Sequence, residues 1–227
     1  FDPRPMFRIV GPVLRPLRYL TYVVPLLLLA ALMVVYQYSD LVVEDLAALG
    51  IEKTLVEHLL FVFVTVHVVT TLTAGLVADA FNVSVEKVGV TLTMWVIPRW
   101  VLKMNGADRL NRTQTMWLHG STLIARMVMF SIGVLIWFNA RDTDSGFATF
   151  GLLLGLACAA GLILESGNPL IKANGYYLLS AYLNEPHLRG KAFAALLNKL
   201  KGGVYRAADS NLLALYALAS ATYVVFL

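Results

Sequence analysis

The chain has 227 residues, of which 59% are hydrophobic and 14% are charged. A soluble domain carries about 25% charged residues, so the composition excludes an ordinary soluble globular protein and predicts an integral membrane protein. The single cysteine, Cys158, excludes a disulfide framework and a cysteine-based metal site. The net charge of +4 is typical of Lys and Arg in cytoplasmic loops, and we expect no nucleic-acid partner.

The first part of the chain reads as a basic lead-in followed by two membrane spans. Residues 1–19 carry Arg and Pro repeatedly, and we expect them to lie at the membrane interface. Leu20 to Tyr38 is predicted to be the first span. An acidic segment, Ser39 to Lys53, follows, with a short surface helix expected around Leu41 to Leu49. Thr54 to Ala78 is the second predicted span, and Thr and His side chains make it the most polar one.

The stretch from Phe81 to Ile97 changes character. Valines and other β-branched or apolar residues recur on both sides of Gly89, which favours extended structure over helix. The stretch is too short and too polar to span a membrane. It therefore predicts a β-hairpin or a re-entrant sheet at the membrane, and a basic segment from Arg99 to Arg112 follows it.

Two further spans are predicted in the middle of the chain. The third, Thr115 to Phe138, contains Arg126, and two interpretations of this arginine remain open. It reaches the membrane interface by snorkelling, or it faces the bundle interior and pairs with backbone carbonyls or a carboxylate. The fourth span, Phe147 to Leu164, carries Gly151 and Gly155. Small residues four apart let helices approach closely, so we expect this helix to be central.

A polar break at residues 167–189 directly follows the fourth span. Irregular backbone at membrane depth is tolerated only where protein or a water-filled cavity surrounds it, so other elements are expected to pack around the break. A basic amphipathic segment from Arg189 to Arg206 and a truncated fifth span in residues 207–227 complete the chain. We expect the chain to be a piece of a longer protein. The predicted fold is an all-α integral membrane bundle of about five transmembrane helices with a small re-entrant β-element, and its core is residues 20–206.

The distribution of charge predicts how the protein lies in the membrane. Of the 18 Lys and Arg residues, 15 fall in the three stretches predicted to be cytoplasmic. The two outer loops hold only Lys53 and Arg141, together with six acidic residues. This asymmetry follows the positive-inside rule. It places the N-terminal side and the basic loops on the cytoplasmic face of an inner (cytoplasmic) membrane.

The break contains the pattern NPLxxxxGYYLLSxxLxxPxLR, from Asn168 to Arg189. This pattern resembles the signature NPLxxxDGYYLLSDxLxxPNLR of the site-2-protease-like intramembrane zinc metalloproteases, in which the Asp binds zinc. The resemblance extends over almost the whole chain, from Phe1 to Arg189. It implies a first catalytic helix, a re-entrant β-element with a central Gly after it, and a cleft that holds an extended peptide by strand addition.

The resemblance also implies where the catalytic groups should lie. A zinc hydrolase of this family uses HExxH on a helix, in which two His bind the metal and the Glu is the general base. Aligning the chain on its β-element places this motif at Thr70-Thr71-Leu72-Thr73-Ala74. Thr70 and Ala74 then replace the His pair, Thr71 replaces the Glu, and Asn174 replaces the zinc-binding Asp. All the expected metal ligands and the base are therefore missing at their family positions, and we predict no metal site.

The histidines of this chain do not restore the site. The residue four positions after His67 is Thr71, and His58 falls on the opposite side of the same helix. We therefore interpret His67 as a hydrogen-bonded histidine facing the bundle, and His119 and His187 as interfacial residues. Two haem ligands would need one membrane depth, and the separation between His67 and His119 argues against such a site.

These observations predict a catalytically inactive membrane protein without a cofactor, acting as a scaffold or a peptide-docking subunit. The residues expected to shape the docking cleft are Gly89, Asn168, Pro169, Asn174, Gly175, Tyr176 and Tyr177. An alternative is that they only pack the fold. Relatives of this branch often accompany adaptor (membrane-fusion) proteins and export machinery, which implies an export or efflux assembly in the lipid bilayer. The other hypotheses are an active intramembrane zinc metalloprotease with displaced ligands, and an electron-transfer subunit.

Overall fold

The computed structural model describes residues 22–50, 53–93, 97–143, 145–201 and 210–226. The predicted lead-in at residues 1–19 lies outside the described residues, as do Leu20 at the start of the first predicted span and residues 202–209. The described chain is mostly helical, with one small sheet, as predicted. Its elements are α1 (Val24–Gln37), α2 (Ser39–Ala47), α3 (Lys53–Ala80), β1 (Ser84–Thr93), β2 (Ile97–Asn105), α4 (Arg112–Ala140), α5 (Ser145–Ala160), a π-helix (Gly161–Ser166), α6 (Asn174–Tyr182), α7 (Leu188–Leu200) and α8 (Ser210–Phe226).

Among the described residues, three helices are long and apolar enough to cross a membrane. They are α3, α4 and the segment Gly146–Ser166, which joins α5 to the π-helix. The pair α1 and α2 would make a fourth, but the chain bends by 75° between them. The prediction of about five spans is therefore wrong for the described residues. The reason is helix length, since α1 ends after 14 residues and α8 has 17, whereas a span needs roughly 20.

The predicted β-element exists, but its position in the sequence differs from the prediction. β1 and β2 pair as an antiparallel hairpin in which Ser84 lies opposite Asn105 at the open end. The second strand occupies a segment that we had expected to be a basic loop. Leu102 and Met104 are half-buried there while Lys103 is exposed, an alternation typical of a strand with one covered face. The hairpin packs against α3, so it lies beside the helix that precedes it in the chain.

The centre of the fold is a close contact between α4 and α5 that is lined by glycines. A Cβ atom added to Gly151 would lie 2.6 Å from the backbone nitrogen of Trp137 and 2.7 Å from the carbonyl oxygen of Gly133. A Cβ added to Gly133 would lie 2.6 Å from the backbone nitrogen of Gly155. The two backbones therefore touch where side chains are absent. This confirms the expectation, drawn from Gly151 and Gly155, that the fourth predicted span is central.

Arg126 faces the interior of the bundle. Its side chain is 10% exposed, and its Nη2 atom lies 3.5 Å from Oε2 of Glu165, in the π-helix. Gly161 makes room for the guanidinium, because a Cβ there would lie 1.7 Å from Nη1 of Arg126. The pairing with a carboxylate, one of the two interpretations left open by the sequence, is therefore the one that the structure shows.

A second ionic contact ties Asp45 of α2, which is not among the three candidate spans, to the C-terminal end of α4 and to Arg141 after it. Asp45 accepts hydrogen bonds from Nε1 of Trp137 at 2.8 Å and from Nε of Arg141 at 2.8 Å. The hydrogen bond from Arg141 holds the pKa of the Asp45 carboxyl below its usual range. A depressed pKa keeps the carboxylate ionised at neutral pH, so its stabilising contribution is lost only in acid, as the pH falls through that pKa.

The glycine contact predicts a strong effect of a single methyl group. Gly151→Ala should destabilise the protein by about 1–3 kcal/mol, because the new methyl meets backbone atoms that cannot turn away. Thermal unfolding of the purified protein in mild detergent measures this loss. Gly190→Ala is the matched control, since a Cβ at Gly190 in α7 meets no atom within 4 Å. An equal fall in stability for both variants would contradict the close contact.

Candidate functional site

The site is built around the irregular backbone that follows the π-helix. The π-helix ends at Ser166, whose hydroxyl donates a hydrogen bond to the carbonyl of Gly161 at 2.9 Å. The side chain of Asn168 then accepts from the backbone N–H of Leu170 at 2.8 Å, which closes a turn of the Asx type. The side-chain oxygen of Asn168 is therefore engaged in this turn, and Asn168 stabilises the local shape of the break.

Three hydroxyl groups from α8 bind the carbonyls of this segment. Tyr216 donates to the carbonyl of Pro169 at 2.6 Å, and Ser220 donates to that of Leu170 at 2.6 Å. Tyr223 donates to the carbonyl of Leu164 at 2.8 Å. The donors are spaced at i, i+4 and i+7, so they lie on one face of the helix. α8 therefore replaces the helical hydrogen bonds that the irregular backbone cannot make.

Glycine is required where α6 begins. Gly175 is buried, and a Cβ there would lie 2.2 Å from the carbonyl oxygen of Gly167. Any side chain would push the start of α6 away from the end of the π-helix. The Gly of the GYY triplet is therefore explained by close backbone packing, whether or not the site binds a ligand.

The two tyrosines of the triplet have different surroundings. Tyr176 is 5% exposed, and its hydroxyl accepts a hydrogen bond from the backbone N–H of Arg189 at 3.3 Å. Tyr177 is 42% exposed and stacks on His119, with ring centroids 4.8 Å apart and planes at 20°. Tyr176 therefore joins α6 to the start of α7, while Tyr177 presents part of its ring outward.

Asn174, at the position of the zinc-binding Asp in the signature, contacts α4. Its Oδ1 atom lies 3.1 Å from Nδ1 of His119, and the contact is half-buried. His119 was predicted to be an interfacial residue, and the structure places it against Asn174 and Tyr177. No spacing rule connects His119 with Asn174, which are 55 positions apart, so this pairing was not predictable from the sequence.

Of the three α3 positions to which the resemblance assigns the HExxH groups, Thr70 is hydrogen-bonded within its own helix and Ala74 is apolar. The hydroxyl of Thr70 donates to the carbonyl of Val66 at 2.7 Å. Thr71 is half-buried and Ala74 is buried. Nδ1 of His67 lies 3.1 Å from the carbonyl oxygen of Phe63, which confirms that this histidine is hydrogen-bonded.

The acidic and thiol side chains of the described residues do not supply a metal site either. Among the described residues, no three His, Cys, Asp or Glu side chains are grouped so that they could hold a metal ion.

Gly89, the central glycine of the hairpin, is exposed, and a Cβ there would meet no atom within 4 Å. The space beside β1 at this point is therefore open. The hairpin packs against α3, whereas α6 packs against α4.

The three hydroxyl donors of α8 were not predicted. A usable signal is present in the sequence, since Tyr216, Ser220 and Tyr223 recur on one face of a mostly apolar helix. Hydroxyl groups along one face of an apolar helix indicate that this face contacts polar groups of another segment. The broken backbone after the fourth predicted span is such a target.

The chain matches no family model, and searches of curated proteins and of solved structures found no match. The resemblance to site-2-protease-like proteins therefore stays a prediction that rests on the signature from Asn168 to Arg189.

The hydroxyl contacts predict that α8 holds the break in place. Tyr216→Phe, Ser220→Ala and Tyr223→Phe should each cost about 1 kcal/mol, because each leaves a carbonyl without its donor. In the triple variant, we expect faster hydrogen–deuterium exchange at residues 167–173 than in the wild type. Tyr36→Phe is the control, since Tyr36 is 87% exposed. Unchanged exchange in the triple variant would show that the break is held by other contacts.

Proposed function

We propose that this chain is an integral membrane protein that acts as a non-catalytic, site-2-protease-like scaffold. In this proposal its cleft docks an extended peptide for a membrane assembly such as an export or efflux system, with an adaptor (membrane-fusion) protein as the partner. The family and the setting come from the signature resemblance. The observation that supports the lack of catalysis is the contact of Asn174 with His119, which engages the side-chain oxygen of Asn174.

The membrane location is supported by three apolar helices of spanning length and by the side chains on their outer surfaces. Leu60 and Phe61 of α3 are 64% and 62% exposed, and, outside these three helices, Leu26 of α1 is 68% exposed. Apolar area of this kind is unfavourable in water and is covered by lipid in a bilayer. The proposed sidedness has the end with Asp45 outside and the end with the hairpin, α6 and α7 in the cytoplasm.

The lack of catalysis is supported by residue chemistry at the four family positions. Zinc binds Cys, His, Asp or Glu side chains and needs at least three of them. Thr70 donates to its own helix, Ala74 has no ligand atom, and Asn174 is engaged with His119. The position of the general base holds Thr71, a hydroxyl that cannot accept a proton at neutral pH as a carboxylate does.

The docking role is supported by the shape of the break, by the edges of the hairpin and by the accessible surface at Tyr177 and Gly89. The break is already shaped by hydrogen bonds from Asn168 and α8, so a ligand would not have to order it. The hairpin is two-stranded among the described residues, so its outer edges offer backbone N–H and C=O groups to a further strand. The exposed part of Tyr177 and the open space at Gly89 are accessible to a peptide side chain.

Metal content distinguishes the scaffold from a displaced-ligand protease. The full chain, purified in mild detergent, should contain zinc well below one atom per chain by metal mass spectrometry. We expect the same result for His67→Ala and His119→Ala. Zinc near one per chain, lost in either variant, would overturn the non-catalytic proposal and favour an active metalloprotease.

Site-specific crosslinking tests the docking cleft. A photoreactive amino acid at Gly89 and, separately, at Tyr177 should yield adducts with one and the same polypeptide in native membranes, because a single peptide would pass both positions. The control position is Tyr36, which is exposed at the opposite end of the fold. Different adducts at Gly89 and Tyr177, or equal adducts at all three positions, would contradict a single cleft.

A further inference from the structure

A polar cavity of about 450 Å³ lies between the C-terminal end of α3 and the N-terminal end of α4. Arg109 lines it, together with polar side chains from the turn before the hairpin, from the open end of the hairpin and from the first turn of α4; these are Asn82, Ser84, Asn105 and Gln114. No acidic residue is among the described residues that line it. The cavity is separate from the signature segment, and the proposed docking role does not use it.

Arg109 is available to a ligand. It is exposed and makes no ion pair with any described residue, whereas the neighbouring Lys103 lies 3.5 Å from Glu86. Glu86 also accepts a hydrogen bond from Asn105 at 3.1 Å. The carboxylate of Glu86 is therefore already engaged, and Arg109 is the charged residue among the described residues that line the cavity.

The start of α4 adds donors to the same cavity. Asn111 caps the helix, since its side chain accepts from the backbone N–H of Gln114 at 2.8 Å. Oε1 of Gln114 accepts from the backbone N–H of Asn111 at 3.0 Å. This reciprocal contact occupies the oxygen of the Gln114 side chain and leaves its NH₂ group as a donor. The helix N-terminus contributes a partial positive charge as well.

We infer that this cavity binds the phosphate group of an anionic membrane lipid. A guanidinium with amide and hydroxyl donors, and without a lining carboxylate, matches the chemistry of a phosphate oxygen. The cavity also has apolar walls, Phe81 and Leu110 among them, which suit the first carbons of a lipid. Free phosphate offers the same oxygens but gains nothing from those walls.

The location of the cavity favours a lipid as the source of the phosphate. The cavity lies where α3 ends, at Ala80, and where α4 begins, at Arg112, and both helices are of spanning length. With the proposed membrane location, this level is the bilayer surface on the basic, cytoplasmic side, where anionic headgroups are found. The inference rests on that membrane location and not on the docking role.

Lipid titration of the full chain in a neutral detergent tests this inference. Dihexanoyl phosphatidylglycerol should raise the midpoint of thermal unfolding, and Arg109→Gln should weaken its binding about tenfold, as expected for the loss of one charge-assisted hydrogen bond. Arg109→Lys should retain most of the affinity. Lys53→Gln removes the same charge at the opposite end of α3, where the side chain is 91% exposed, and should have no effect.

The other outcomes overturn the inference in distinct ways. Unchanged affinity in Arg109→Gln would exclude the cavity, and an equal loss in Lys53→Gln would show diffuse surface charge. Inorganic phosphate that binds as tightly as the lipid would exclude a lipid-specific site. None of these results bears on the zinc content or on the crosslinks at Gly89 and Tyr177, so failure of the docking proposal would be seen separately.

Discussion

The structure depends on one constraint, which is that backbone carbonyls freed by a broken helix must find other hydrogen-bond donors. The helix that starts at Ser145 loosens to a π-helix at Gly161 and stops at Ser166. The carbonyls of Leu164, Pro169 and Leu170 then accept from hydroxyls of α8. α8 is too short to be a candidate span among the described residues, yet its polar stripe is what allows the signature segment to keep an irregular shape.

The glycine contact between α4 and α5 sets the position of that segment. Because the backbones touch at Gly133 and Gly151, α4 passes close to the π-helix, and Arg126 meets Glu165 there. A buried charge without a partner is strongly destabilising, so the pair fixes the π-helix against α4. The same helix α4 carries His119, which contacts Asn174 on the far side of the break. One helix thus holds the segment before and after its irregular part.

Sequence patterns predicted the helices themselves better than the contacts between distant parts of the chain. Hydropathy and glycine spacing identified the helices and the central position of α5, because both signals lie within one element. The strand β2 was not predicted, because its basic residues are also typical of a loop and obscure the alternation of half-buried Leu102 with exposed Lys103. The short helix expected around Leu41 to Leu49 is present as α2, which is bent by 75° from α1. The contacts of Asn174 with His119 and of α8 with the break join distant parts of the chain, and periodicity carries no information about them.

The residues at the four positions that the proposed resemblance assigns to zinc chemistry, Thr70, Thr71, Ala74 and Asn174, are consistent with one another in physical terms. An ionised Asp at residue 174 would be a half-buried charge, and in the zinc enzymes the metal compensates for it. With Thr70, Thr71 and Ala74 supplying no ligand or base, a carboxylate at 174 would lose that compensation, and burying an unpaired charge is costly. Asn keeps the size and the acceptor oxygen of Asp without the charge, and it uses that oxygen toward His119. The arrangement is therefore stable in itself, so the shape of the break can persist independently of metal chemistry.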